Sequence, residues 1–179
     1  MVVTEGYSIA HRIKKKIDGS TDPEEICYLM GLEYVEYDLV NLKGMYSSAN
    51  RHRTVYINSR LVEYYERLQT VLHEVGHDQI PRHRLMARNS PLMDYSLRIT
   101  KDTTERDANV IMSHVLLDDD EVIDILKSGY TVEQAASEFN VHTDVLLLKF
   151  EEMHKLMRDD FPFDMSRMPR EANPLFLKG

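Results

Sequence analysis

The sequence predicts an α+β fold that is mostly helical, with a small antiparallel three-stranded sheet and a helix-turn-helix-like helical appendage at its C-terminal end. Three observations lead to this prediction. Apolar residues recur at three- and four-residue steps through most of the chain, which is the period of an amphipathic helix. Between residues 32 and 58 this period gives way to short segments rich in aromatic and β-branched residues, which are typical of strands. Short segments with proline, glycine or a capping residue separate these elements.

Length, composition and charge limit the number of domains and the functional classes to which the protein can belong. The 179 residues suffice for one domain with a small appendage, and 42% hydrophobic residues suffice for a core. A formal net charge of -8 disfavours a phosphate-driven nucleic-acid binder, which should be basic. Cys27 is the only cysteine, which excludes an intrachain disulfide and cysteine-rich metal sites. No secretion signal or membrane-spanning segment is recognisable, so we expect a cytoplasmic protein without membrane contacts.

The first third of the chain predicts two helices followed by three strands. Both helices lie between residues 5 and 32, and the second begins at Asp22 and Pro23 and ends at Gly31. The segment from Ala49 to His52 has the length and composition of a hairpin loop, which predicts antiparallel pairing of the strands around it. The three candidate strands are residues 33–37, 44–48 and 54–58.

The most informative stretch runs from Leu68 to His83 and contains the pattern His-Glu-x-x-His at residues 73–77. An apolar stripe leads into the pattern and predicts a helix. Residues four apart lie on the same face of a helix, so the imidazoles of His73 and His77 can reach one metal ion, which for this pattern is commonly zinc. Glu74 lies beside the first histidine, where its carboxylate can accept a proton from water activated by the metal.

Two residues constrain the helix that carries this pattern. Gly76 lies inside it and costs about 1 kcal/mol relative to alanine. That cost is understandable if another element packs closely at this position. Pro81 limits the regular helix to about Ile80, because proline disfavours α geometry in the residue before it.

A second helix, predicted from Thr103 to Leu117, carries Glu105 at the edge of its apolar face. A carboxylate is costly to bury unless it is paired or binds a metal. If this helix crosses the first, Glu105 can complete a ligand set of two histidines, one glutamate and water, which is known from catalytic zinc sites. Asn109 lies one turn further on and could hydrogen-bond an imidazole N–H. The alternative for Glu105 is a carboxylate stabilised by the helix macrodipole, and the histidine pair favours the ligand.

These residues together resemble the ImmA/IrrE family of metallo-endopeptidases. The resemblance extends from about Glu25 to Leu117, and more loosely to about Leu156. The matching segments are Val55–Asn58, Val71–His77, His83–Arg84 and Glu105–Asn109.

The resemblance implies a gluzincin-like peptidase in which one zinc ion is held by His73, His77 and Glu105, with Glu74 as the base. Many members of the family, which occur in phages, mobile elements and bacterial chromosomes, act on a helix-turn-helix repressor encoded beside them. A partner of this kind is therefore implied here.

Peptide hydrolysis also requires a residue that stabilises the developing oxyanion. Tyr46, His83 and Tyr95 are candidates, and the sequence does not choose among them. His114 is less suited, because the helical period places it about 180° from Glu105.

The remaining chain predicts a helical appendage at residues 118–160 and an irregular tail at residues 161–179, after a metallopeptidase-like core at residues 1–117. Thr131 should cap the first helix of the helix-turn-helix-like unit. The second helix has Lys149 in its body but more acidic than basic residues, whereas a DNA-reading helix should present cations or amides. We therefore expect a structural or protein-docking role and no direct nucleic-acid contact.

Two functions remain open from the sequence. The first is a zinc-dependent endopeptidase that cleaves a protein, expected to be a helix-turn-helix repressor. The alternative is a non-proteolytic anti-repressor or toxin–antitoxin partner that binds a regulator and in which zinc is structural. An acidic surface would suit encounter with a basic DNA-binding partner in either case.

Overall fold

A computed structural model of the protein describes residues 4–49, 51–81, 103–157 and 161–162. His83, Tyr95 and the predicted tail beyond residue 162 lie outside the described residues. The helices within these ranges are α1 (Glu5–Ile17), α2 (Pro23–Met30), α3 (Tyr64–Gln79), α4 (Thr103–Leu116), α5 (Asp119–Lys127), α6 (Val132–Glu138) and α7 (Thr143–Met157). The strands are β1 (Glu33–Tyr37), β2 (Gly44–Ala49) and β3 (His52–Asn58). The predicted mostly helical α+β class is confirmed.

The helix boundaries follow the capping residues of the sequence. The Asp22 carboxylate accepts a hydrogen bond from the backbone N–H of Glu25 at 2.7 Å, and α2 ends at Gly31, which has a left-handed φ of 72°. Thr131 and Gln134 form a reciprocal capping box at the start of α6. Helix α3 ends at Gln79, just before Ile80 and Pro81, as the proline predicts.

The sheet is mixed, so the prediction of an antiparallel three-stranded sheet was wrong in one of its two pairings. Strand β3 lies in the centre, with β2 antiparallel on one side and β1 parallel on the other. The hairpin of β2 and β3 is the predicted one. Strand β3 is the most buried of the three, which suits the central position. Residues 38–43 form a connection long enough to lead from β1 to the far edge of the sheet, where β2 lies.

Helices α3 and α4 form the middle of the molecule. The sheet and α2 pack on α3, while α1 and α7 pack on α4. A Cβ atom added to Gly76 would lie 3.1 Å from both Cα and O of Ala108, so the two helices approach closely at this point. The close packing that the sequence suggested at Gly76 is therefore present. None of the described helices has the length and apolar character needed to span a membrane.

Candidate metal centre

The His-Glu-x-x-His pattern lies in the second half of α3, the most enclosed helix segment near the sheet. His73, Glu74 and His77 are 4%, 2% and 1% exposed. Val71, Leu72 and Val75 are buried among them, because α3 is covered by the sheet on one side and by α4 on the other. Polar side chains at this depth require partners, and the next element that reaches them is α4.

Four nitrogen and oxygen atoms from three side chains converge where α3 and α4 cross. The Nε2 atoms of His73 and His77 are 3.0 Å apart. Glu105 places Oε2 at 3.3 Å from His73 Nε2 and Oε1 at 3.4 Å from His77 Nε2. A tetrahedral zinc ion with bonds of about 2.0–2.2 Å requires ligand atoms about 3.3 Å from one another. The donor types and their spacing therefore fit one zinc ion. No other such group of metal ligands occurs among the described residues.

The charges of this group are coupled. Burial alone would raise the pKa of Glu105, but hydrogen bonds from His73 and His77 outweigh it and hold that pKa well below its usual range. Burial would lower the pKa of His73, whereas its hydrogen bond with Glu105 and the nearby Glu74 charge raise it. The carboxylate of Glu105 is thus kept ionised, which is the form that binds a metal.

Asn109 contacts Nδ1 of His73, the ring nitrogen that does not face Glu105. Its Oδ1 atom lies 2.8 Å from Nδ1 of His73. Because an amide oxygen only accepts, this contact assigns a proton to Nδ1 of His73. In the neutral ring, Nε2, the nitrogen that faces Glu105, is then the atom able to bind a metal. The Nδ1 atom of His77 is buried and has no hydrogen-bond partner among the described residues.

The Glu74 side chain lies next to strand β2 of the sheet. A Cβ atom added to Gly44 on β2 would lie 2.5 Å from Cγ2 of Thr70 and 3.1 Å from Oε1 of Glu74. Glycine at this position therefore lets the edge strand β2 lie directly against the row of α3 that carries Glu74. The Glu74 carboxylate is bounded by a strand on one side while its neighbour His73 faces α4.

Tyr46 is two residues further along β2 and contacts the same row of α3. Its hydroxyl donates to Oδ1 of Asp78 at 2.9 Å, and Arg53 donates to both carboxylate oxygens of Asp78 at 3.1 and 3.0 Å. Burial, followed by the hydrogen bond with Asp78, raises the pKa of Tyr46, so the hydroxyl keeps its proton. A role for Tyr46 as oxyanion stabiliser stays a prediction, as it does for His83 and Tyr95.

Asp78 is a further residue of this site that the sequence patterns did not single out. Its side chain is 1% exposed. Its contacts could have been anticipated from the spacing of Thr70, Glu74 and Asp78, which lie four residues apart on one face of the helix.

His114 lies away from the metal ligands, as its helical position predicts. Its Nδ1 atom is 2.9 Å from the ammonium nitrogen of Lys149 on α7, which also contacts Asp119. Lys149 is fully buried, so it is not available to a nucleic acid. Its position three residues after Leu146 and four before Met153, on the apolar face of α7, was the signal for this burial.

Comparison with known families gives one match. The model of the M78 peptidase family, described as the IrrE N-terminal-like domain, matches residues 31–151. This range contains the strands, both crossing helices and most of the C-terminal helices. No curated protein matches the chain.

Proposed function

The chain belongs to the M78 peptidase family of IrrE N-terminal-like domains, which makes it a metallopeptidase of the IrrE/ImmA type, and we propose that it is a zinc-dependent endopeptidase. The observation that carries this proposal is the triangle formed by Nε2 of His73, Nε2 of His77 and the Glu105 carboxylate, with sides of 3.0, 3.3 and 3.4 Å. Two neutral imidazoles and one carboxylate are a ligand set that leaves a position open for water or substrate.

His73, His77 and Glu105 would hold one zinc ion. When bound there, zinc supplies a Lewis acid that makes water nucleophilic at neutral pH and polarises a carbonyl oxygen. The chain itself supplies the orientation of the ligands. Asn109 fixes the tautomer of His73 through its 2.8 Å contact, and the Glu105 carboxylate remains ionised because both histidines hydrogen-bond to it.

Glu74 is the proposed general base. Its carboxylate accepts the proton from the attacking water and returns it to the nitrogen of the leaving amine, so that the peptide bond breaks into a carboxylate and an amine. Its 2% exposure supports this role, because a carboxylate in a water-poor site exchanges its proton with the substrate rather than with bulk solvent. Gly44 permits the strand next to it to lie in direct contact.

The proposed substrate is a helix-turn-helix repressor in the cytoplasm. The family resemblance supports this choice, and so does the net charge of -8, because a DNA-binding repressor presents a basic surface. The expected cleavage would separate the DNA-binding part of the repressor from the rest and so relieve repression.

The test is cleavage of a purified repressor encoded beside this chain, followed by intact mass measurement. We expect two fragments whose masses sum to that of the repressor plus one water, and no fragments after zinc is removed with a chelator. Glu74→Gln should retain zinc and lose cleavage by at least about 100-fold. Glu66→Gln is the matched control, since Glu66 lies on the same helix but is half-exposed and pairs with Lys43.

Two outcomes would contradict the proposal. Cleavage by Glu74→Gln at the wild-type rate would remove Glu74 from the reaction. An intact complex with the repressor, formed with or without chelator and without any fragments, would favour the non-proteolytic anti-repressor.

A further inference from the structure

The side chain of Arg106 attaches the first turn of α4 to α7. Arg106 follows the proposed ligand Glu105 and extends to the middle of α7. One of its terminal nitrogens donates to Oε1 of Glu151 at 2.9 Å and to Oε1 of Glu152 at 2.8 Å. The side chains of Glu151 and Glu152 are only 8% and 6% exposed. Hydrogen bonds between charged groups in such an enclosed place are about twice as strong as neutral ones.

Two cationic side chains contact Glu151 and Glu152. Arg106 approaches from α4, and Lys155 contacts the same two carboxylates at 2.8 Å from within α7. Both cations offset the cost of burying adjacent carboxylates. Of these two cations, Arg106 is the one that connects different helices.

The position of Glu105 makes this connection important. Glu105 and Arg106 lie in the first turn of α4, where the backbone N–H groups have no partner within the helix. The orientation of such a turn depends on its side-chain contacts. At the other end of α4, His114 contacts Lys149, so α7 holds the helix near both of its ends. The carboxylate of Glu105 must stay within about half an ångström of its place to serve as a ligand.

We propose that Arg106 is a positioning residue for Glu105, and that the affinity of the metal centre depends on the anchor which Glu151 and Glu152 provide on α7. This inference rests on the proposed function, because it assumes that Glu105 binds zinc. It assigns helix α7 a role in the metal centre, with Glu151 lying 46 positions from Glu105 along the chain. Helix α7 is then part of the peptidase and not a separable appendage.

The test compares two variants that each remove one cation from the same carboxylate pair. Arg106→Met breaks the link to α4, whereas Lys155→Met removes a charge and leaves the link in place. The dissociation constant of zinc is measured by competition with a chromophoric chelator, and circular dichroism at the same temperature verifies that each protein is folded. We expect Arg106→Met to bind zinc about 10-fold more weakly, and Lys155→Met to stay within about 2-fold of wild type.

Equal zinc affinity of Arg106→Met and wild type would overturn the inference, and so would an equal loss in both variants, which would indicate a purely electrostatic effect. If Arg106→Met does not fold, Arg106→Met combined with Glu151→Gln removes one of the stranded carboxylates as well. The same loss of zinc affinity is expected in this double variant, and wild-type affinity would again overturn the inference. A wild-type protein that binds no zinc would refute the proposed function itself, whereas an unaffected Arg106→Met beside a zinc-binding wild type refutes only the role of Arg106.

Discussion

Helix α4 contributes to two clusters of histidine and carboxylate that differ in the origin of their positive charge. The metal cluster consists of His73, His77 and Glu105, whose ligand atoms are 3.0 to 3.4 Å apart. The lysine cluster consists of His114, Asp119 and Lys149. Here Nδ1 of His114 and Oδ1 of Asp119 are 3.9 Å apart, and the Lys149 ammonium contacts both residues.

The difference shows why the same residue types serve two purposes in one helix. A buried carboxylate beside an imidazole needs a cation. In the lysine cluster the chain supplies that cation, and it occupies the imidazole lone pair that a metal would use. In the metal cluster one nitrogen of each imidazole and the carboxylate oxygens of Glu105 face one another, and no cation of the chain occupies the place between them among the described residues. The presence of histidine and carboxylate alone therefore does not identify a metal site, whereas the convergence of their ligand atoms does.

The largest effect should come from exchanging one histidine in each cluster. His77→Gln should weaken zinc binding by more than about 100-fold, because losing a ligand costs more than losing a residue that orients one. His114→Gln keeps an acceptor for Lys149 and should leave zinc affinity within about 2-fold of wild type. Zinc content after dialysis against a chelator measures both. Loss of zinc in His114→Gln would erase the distinction between the clusters.

A smaller effect is expected from the residue behind His73. Asn109→Ala removes the acceptor of the Nδ1 proton, so the ring loses its fixed tautomer and zinc affinity should fall about 10- to 100-fold. Asn109→Asp retains an acceptor and should recover most of this affinity. Chelator competition provides the measurement. If alanine binds zinc as tightly as asparagine does, the metal cluster does not depend on this contact.

The lysine cluster should respond asymmetrically to loss of charge. Asp119→Asn leaves the buried Lys149 ammonium with a weaker partner and should lower the free energy of unfolding by about 2 kcal/mol. This figure is below that for a fully buried pair because the Asp119 side chain is 35% exposed. Lys149→Met removes the buried charge itself and should change stability by less than about 1 kcal/mol. Urea unfolding of both variants at pH 7 measures the difference. Equal losses of stability would show that the burial of the Lys149 charge is not the main unfavourable contribution in this cluster.

The last prediction concerns the pH dependence of stability. Burial lowers the pKa of Lys149 to about 8 from 10.5, with a contribution from Lys14, while Asp119 and Asp118 oppose this shift. Above pH 8 the folded chain releases this proton and the unfolded chain still holds it. The free energy of unfolding of wild type should therefore rise relative to Lys149→Met, by about 2 kcal/mol between pH 8 and 10. Urea unfolding of both proteins across this range provides the check, and parallel pH curves would contradict the assignment.

Short-range sequence patterns predicted those features that depend on residues close together in the chain. The four-residue interval between His73 and His77 and the caps at Asp22 and Thr131 involve positions close in sequence, so the helical period and capping rules sufficed. The position of Glu105 near the histidines was also predictable, because a carboxylate on an apolar helix face requires a partner.

Contacts between distant positions were not predictable in this way. The parallel pairing of β1 and β3 depends on which strand becomes central, and short strand segments do not encode that order. The contacts of Arg106 with Glu151 and of His114 with Lys149 span 45 and 35 positions. The sequence does not show which residues these side chains contact, because the contacts depend on how α7 packs on α4.

Two glycines, Gly76 within α3 and Gly44 on the strand packed against α3, have a consequence for protein engineering. Replacing a helical glycine by alanine is a common way to raise thermal stability, and at Gly76 the gain in helix propensity would be about 1 kcal/mol. The added methyl group would meet the backbone of Ala108 at 3.1 Å, and overpacking of this kind costs about 1–3 kcal/mol. At Gly44 the methyl group would meet Thr70 at 2.5 Å and Glu74 at 3.1 Å. Programmes that seek a more heat-resistant enzyme should therefore leave both positions unchanged and begin on the exposed face of α1.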